Sequence, residues 1–187
     1  MYEYSLETDA EVASLTGFRQ RFWVLPIHLN RTALQIIHDT YVDAAKQFSA
    51  GLGFYLTALA VMPVPKTFFT ASKVNGGDPQ SVDPDQAPYV WVEESFSYTG
   101  TLTDDQVDEF YEQTNAEITS RLAANGIDIA AFHYLNDANK AQTGAVWAGF
   151  PPANIQRLKQ IRAKYDPNNV FTTLLPGGWK VEDAVGA

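Results

Sequence analysis

The chain contains no cysteine, which removes disulfides, thiolate nucleophiles and the usual structural zinc sites together. Histidine is scarce as well. His28, His38 and His133 lie far apart with no ligand spacing, so no metal site is expected. Positive charge is thin, with 13 Lys and Arg against 22 Asp and Glu and a formal net charge of −9. That balance argues against a nucleic acid or an anionic membrane surface as partner. No apolar run approaches the roughly 20 residues of a membrane-spanning helix. The opening Met1-Tyr-Glu-Tyr-Ser-Leu-Glu7 has neither the basic nor the apolar region of a signal peptide, so a cytoplasmic protein is expected.

What remains is a chain of 187 residues, 45% hydrophobic and 13% aromatic. That is enough for one ordinary domain with a real core. Residues 1–17 read as an acidic N-terminal arm, with a short helix expected from Thr8 to Leu15. Residues 18–187 read as a single domain. Strands are expected over Phe18–Leu29, Phe54–Met62, Tyr89–Tyr98 and Ile127–Leu135. Helices are expected after Asn30, after the capping box Thr103-Asp-Asp-Gln106, and from Pro152 to about Lys164. Residues 63–88 and 136–151 read as long loops, the first rich in proline. Phe68-Phe69 there is either a lid or two aromatics tucking the loop down. The order β-α-β, loop, β-α-β, loop, α specifies an α+β fold, a ferredoxin-like or split βαβ antiparallel sheet with helices on one face.

Tyr89 to Tyr98 organises the rest. Its alternation puts Val90, Val92, Glu94 and Phe96 on one face and Tyr89, Trp91, Glu93, Ser95 and Ser97 on the other. The valine row should meet the helices, which leaves an aromatic face that needs a cover. On that face we place Tyr89, Trp91 and Glu93, with Phe132, Tyr134 and Asn136 from the neighbouring strand. Tyr55 and Thr57 are placed there from the second strand, and His28 at its edge. Glu93, a carboxylate among aromatics, is the expected general base, against the alternative of pairing with an arginine such as Arg21. Tyr134 and His133 are the other catalytic candidates, although His133 has the opposite parity and, as a lone histidine in an apolar strand, reads more readily as a satisfied core residue. Tyr55, Tyr89, Trp91, Phe132, Asn136 and Trp147 are the expected substrate contacts. Glu94 should face the helices and pair structurally.

At Lys164-Tyr-Asp-Pro-Asn-Asn-Val-Phe171, followed by Leu175-Pro-Gly-Gly178, the chain resembles the extreme C-terminus of berberine bridge enzyme-like FAD-linked oxidases of the vanillyl-alcohol oxidase superfamily. Asp166-Pro167 should break the helix there, with Val170-Phe171 turning back into the core. Ala71-Ser-Lys-Val-Asn-Gly-Gly77 resembles the loop after that family's second strand. Phe132-His-Tyr-Leu-Asn136 resembles its Tyr-x-Asn strand beneath the flavin. The resemblance covers roughly residues 18–180, is nearest to fungal members, and implies the substrate half alone. No glycine-rich pyrophosphate loop and no residue for covalent flavin attachment is recognisable, so no cofactor is expected unless FAD is supplied from outside the chain.

Three functions follow from these features. The first is a cofactor-independent cyclase or isomerase of specialised metabolism acting on an apolar or aromatic small molecule. The second is the C-terminal half of an FAD-dependent oxidoreductase. The third is a non-catalytic module, with a homodimer over the open sheet face.

Overall fold

The computed structural model describes residue 13 and residues 16–52, 55–100 and 102–184. The expected Thr8–Leu15 helix, most of the 1–17 arm and the expected start of the second strand at Phe54 lie outside these residues. Within them the elements are β1 (Arg19–His28), α1 (Arg31–Phe48), β2 (Tyr55–Val64), α2 (Lys66–Val74), β3 (Tyr89–Tyr98) and α3 (Asp104–Ala124). Then come α4 (Thr143–Ala148), α5 (Pro152–Tyr165) and α6 (Val170–Leu174).

Local chemistry sets the boundaries. Asn30 caps α1 by accepting from the Ala33 N–H at 3.1 Å. Thr103 and Gln106 form the reciprocal capping box of α3, at 3.2 Å and 2.9 Å. β1, β3 and β2 form an antiparallel three-stranded sheet in that order, with β3 in the centre. The α+β class therefore holds, with α1 and α3 on one face of the sheet. That face buries Leu25, Ile27, Val90, Val92 and Phe96 against Ile37 and Tyr41 of α1 and Val107, Ile118 and Leu122 of α3.

The fourth strand is a correction. Residues 127–135 lie along β1, where a split βαβ fold would place it, but only Ile27 and Ile129 form a bridge. Side-chain amides do the remaining pairing. Gln142 donates to the Val24 carbonyl at 2.8 Å and accepts from its N–H at 3.2 Å, and Asn139 donates to the Phe22 carbonyl at 2.9 Å. Together with the Ala130 N–H on the Pro26 carbonyl at 2.8 Å, they satisfy alternate groups along the outer edge of β1. Two further expectations change. The 63–88 loop contains α2, whose Phe69 is buried while Phe68 is exposed. Val170 and Phe171 do not turn into the core; they are 45% and 64% exposed.

Glu94 is fully buried on the helix side, as its parity requires. Asn115 of α3 donates to it at 2.8 Å, and no cation pairs with it among the described residues. Burial pushes its carboxyl up to about 8, the Asn115 hydrogen bond opposing only in part. The folded state therefore binds this proton more tightly than the unfolded chain does. The stability it brings is complete below the ordinary carboxylate range and is lost as pH rises toward about 8. Glu94→Gln should remove that dependence, leaving the variant more stable than the parent by about 1–3 kcal/mol near pH 8 and little changed near pH 5. Urea midpoints at the two pH values measure this.

Candidate functional site

The second face of the sheet begins with β3. Tyr89 and Trp91 point away from the helices, flanked by Val24 of β1 and Val64 and Met62 of β2. They bury together with Phe69 of α2, Val82 and Ala130. Tyr134 stacks on Trp91 with ring centroids 4.5 Å apart and planes 17° from parallel. Phe132 lies 5.1 Å from Trp91 and 5.4 Å from Phe69, and the Trp91 indole N–H donates to the Phe132 carbonyl at 3.3 Å. The chain thus covers this half of its own aromatic floor, with edge and stacked contacts that favour such rings. Phe69 is the central plug: it also meets Tyr89 at 5.3 Å.

Beyond Trp91 the face becomes polar. Glu93 is half-buried, opposite Val24 of β1 and Ala60 of β2. A turn at Tyr134, closed by the Asp137 and Ala138 N–H groups on the Tyr134 carbonyl at 3.2 Å and 3.1 Å, brings Asp137 toward it. Burial raises the Glu93 carboxyl above its ordinary range, and the charge of Asp137 raises it further. Asp137 is raised by burial as well. Glu93 makes no hydrogen bond or ion pair among the described residues, whereas Arg21 pairs with Asp104 and Asp108 at 2.7 Å and 2.9 Å. The structure therefore offers a carboxyl that holds a proton nearer to neutrality than usual and is not committed to a structural partner.

Of the expected site residues, Tyr89, Trp91, Glu93, Phe132 and Tyr134 come together on this face. Asn136 stands at its exposed rim and donates to the Tyr134 hydroxyl at 2.7 Å. His28 packs on Tyr89 at 4.8 Å, at the edge as expected. Tyr55 and Thr57 are corrections: in the observed register they pair with Tyr98 and Phe96 and lie on the helix side. Thr57 shares a 2.6 Å hydrogen bond with Tyr41 there, and Tyr55 stacks on Phe96. His133 points the other way, into a cavity of about 450 Å³ that Trp23, Asn115 and Gln142 also line. Burial lowers its pKa, which favours the neutral ring, the hydrogen bond to the Ala131 carbonyl opposing in part. Trp147 belongs to a separate cluster with Val146, Phe150 and Ile155. Asp137 is the residue that sequence reasoning missed, while Phe69, expected as a lid or as an aromatic tucking its loop down, takes the second role. Asp137 directly follows the Tyr-x-Asn run, which was the available signal.

The comparisons with known proteins bear on this same segment. The model of the berberine and berberine-like family matches residues 133–174, which begin at the turn over Trp91. The FAD-dependent monooxygenase drtC of Aspergillus calidoustus is 30% identical over 78% of this chain and 27% of its own length. The chain belongs to the berberine bridge enzyme-like family of FAD-linked oxidases. The FAD-dependent monooxygenase prx3 of Penicillium roqueforti is 27% identical over 87% of the chain and 32% of its own. The bifunctional solanapyrone synthase of Alternaria solani is 28% identical over 67% and 23% respectively. The chain thus spans about a third or less of the length of these berberine bridge enzyme-like relatives. Among its described residues no group of three His, Asp or Glu could hold a metal ion, and no helix is long and apolar enough to cross a membrane.

Two outcomes test this geometry. Asp137→Asn should lower the titration midpoint of Glu93, read directly by carbon NMR of its carboxyl, because one neighbouring negative charge is removed. Phe69→Ala should destabilise the fold by about 3–5 kcal/mol in urea, since it removes a buried ring packed against Tyr89 and Phe132.

Proposed function

We propose that this chain forms the substrate side of the active site of an FAD-dependent oxidoreductase, with Glu93 as proton acceptor. The observation that carries this reading is the uncommitted, half-buried Glu93 beside Asp137, on the same sheet face as the Trp91–Tyr134 stack. The family membership supports the redox class. Tyr134 and Asn136 are the residues of this chain that fit a flavin ring edge, because one stands half-buried on an aromatic support and the other is exposed, its amide nitrogen donating to the Tyr134 hydroxyl and its amide oxygen in no hydrogen bond among the described residues. No run among the described residues supplies the backbone cradle a pyrophosphate needs, so the nucleotide part of FAD must be held from outside them.

When bound, FAD supplies the acceptor for a hydride. With FAD there to accept the hydride, Glu93 would take the proton that the substrate gives up in the same two-electron oxidation. A carboxyl raised by burial and by Asp137 is a stronger base than an ordinary surface carboxylate, which suits it to this transfer near neutral pH. Tyr134, held on the buried Trp91, gives the substrate a flat aromatic support, and Asn136 fixes its hydroxyl by donating to it.

A second reading, a cofactor-independent cyclase or isomerase, has one observation in its favour: a relative named as a bifunctional synthase stands beside those named monooxygenases. Product mass separates the two. The chain is co-expressed with the part of the Aspergillus calidoustus relative that it does not match, supplied with FAD, and assayed on phenolic and polyene substrates for oxygen uptake and product mass. Flavin binding with a product two hydrogens lighter, slowed about 10²–10⁴-fold in Glu93→Gln, is the expected result. An isomeric product from colourless protein, with oxygen uptake absent, would overturn the oxidoreductase reading in favour of the cyclase.

A further inference from the structure

Beside the Trp91 face lies a smaller hollow of about 150 Å³, lined by α2, the 78–80 turn and the 132–135 segment. Most of its wall is aromatic, from Phe68, Phe69, Phe132 and Phe150. Phe69 stands 84° from the plane of Phe68 and 79° from that of Phe132, with centroids 5.4 Å away in both cases. Neighbouring rings therefore meet nearly at right angles. Phe69 and Phe150 are buried, whereas Phe68 is 56% exposed.

Among the described residues that line the hollow, Asp78 alone carries a charge. Its Oδ1 is buried and accepts no hydrogen bond, and its Oδ2 receives the Ser72 hydroxyl at 3.4 Å. No cation answers it among the described residues: Lys73, the nearest in sequence, pairs with Asp83 at 3.9 Å. Nor does a lysine or arginine among them sit over any of these rings. The turn that carries Asp78 is held in place by amides. Asn154 of α5 donates to the Pro79 carbonyl and to the Ser81 hydroxyl, each at 2.8 Å, and Gln80 donates to the His133 carbonyl at 3.1 Å.

A carboxylate among aromatic rings attracts a cation twice, through its own field and through the negative ring faces. What the walls lack decides which cation. Phenyl rings accept no ordinary hydrogen bond, so a bare ammonium with three N–H groups would lose hydration it could not replace there. An ammonium covered by methyl groups loses little and lays positively charged methyls on the rings. Size narrows the choice again. About 150 Å³ is below the roughly 300 Å³ at which sites for drug-sized molecules begin, so the hollow takes a headgroup and not a polycyclic amine. The net charge of −9 also favours the approach of a cation.

We propose that the hollow of Phe68, Phe69, Phe132, Phe150 and Asp78 is a binding site for a small N-methylated ammonium headgroup. Glu93, Tyr134 and Asn136 do not line it, so this site stands whether or not the oxidoreductase reading does.

Choline chloride is the probe, titrated into the full chain and followed by saturation transfer from aromatic protons of the protein to the N-methyl protons. Dimethylbutanol of the same shape, with carbon in place of nitrogen, is the uncharged comparison. Choline should bind with a millimolar dissociation constant, at least about tenfold more tightly than the alcohol. Asp78→Asn should weaken choline at least about tenfold. Phe68→Leu, at an exposed position where folding is retained, keeps an apolar side chain without the ring and should weaken it at least about threefold. Glu109→Gln, at an exposed position of α3, should leave binding unchanged. Equal affinity for the two molecules would make the hollow an apolar one and overturns the proposal. So does choline binding that either Asp78→Asn or Phe68→Leu leaves unchanged, or no transfer to choline at tens of millimolar.

Discussion

β3 is hydrogen-bonded on both sides, and its strict alternation divides the protein into two interiors. A side chain on β3 cannot change faces without moving the whole register. Val90, Val92, Glu94 and Phe96 are thereby committed to the core beneath α1 and α3, while Tyr89, Trp91 and Glu93 are committed to the other side. The helix side closes by burying aliphatic and aromatic surface against two long amphipathic helices. Among the described residues the second side has no helix of comparable length. It closes with α2 and the 130–138 segment, through rings that stack on rings.

Glu93 and Glu94 show what this division does to chemistry. They are neighbours of one residue type, and both carboxyls are raised by burial. Glu94 is sealed in the core and bonded to Asn115, so its proton is a matter of stability. Glu93 keeps partial access to solvent and has Asp137 rather than a donor beside it, so its proton can be exchanged with something that arrives. Two carboxyls with different access are separated by no more than the pleat of one strand.

The outer edge of β1 is finished by side-chain amides standing in for a strand that the backbone does not form. Asn139 and Gln142 provide the donors and acceptors a ladder would have given, and the segment they hold is the one that places Tyr134 over Trp91. The edge repair and the aromatic cover are therefore one structural unit, and its Tyr134, Asn139 and Gln142 lie within the stretch that matches the family.

Much of this was legible in the residues alone. Period-two alternation fixed which face each β3 side chain takes, and the Asn30 cap and the Thr103–Gln106 box located the starts of α1 and α3, because these signals are local and act within a few residues. The aromatic set Tyr89, Trp91, Phe132 and Tyr134, with Glu93, was readable for the same reason. Register between strands was not. Tyr55 and Thr57 changed faces because the pairing of β2 with β3 is set by packing across about forty intervening residues, which no local pattern encodes. The missing fourth strand, the exposure of Val170 and Phe171 and the approach of Asp137 to Glu93 likewise depended on where distant segments came to rest. Sequence determined the periodicities and caps; tertiary structure alone decided which distant groups meet, since burial and hydrogen bonding are properties of neighbours in space.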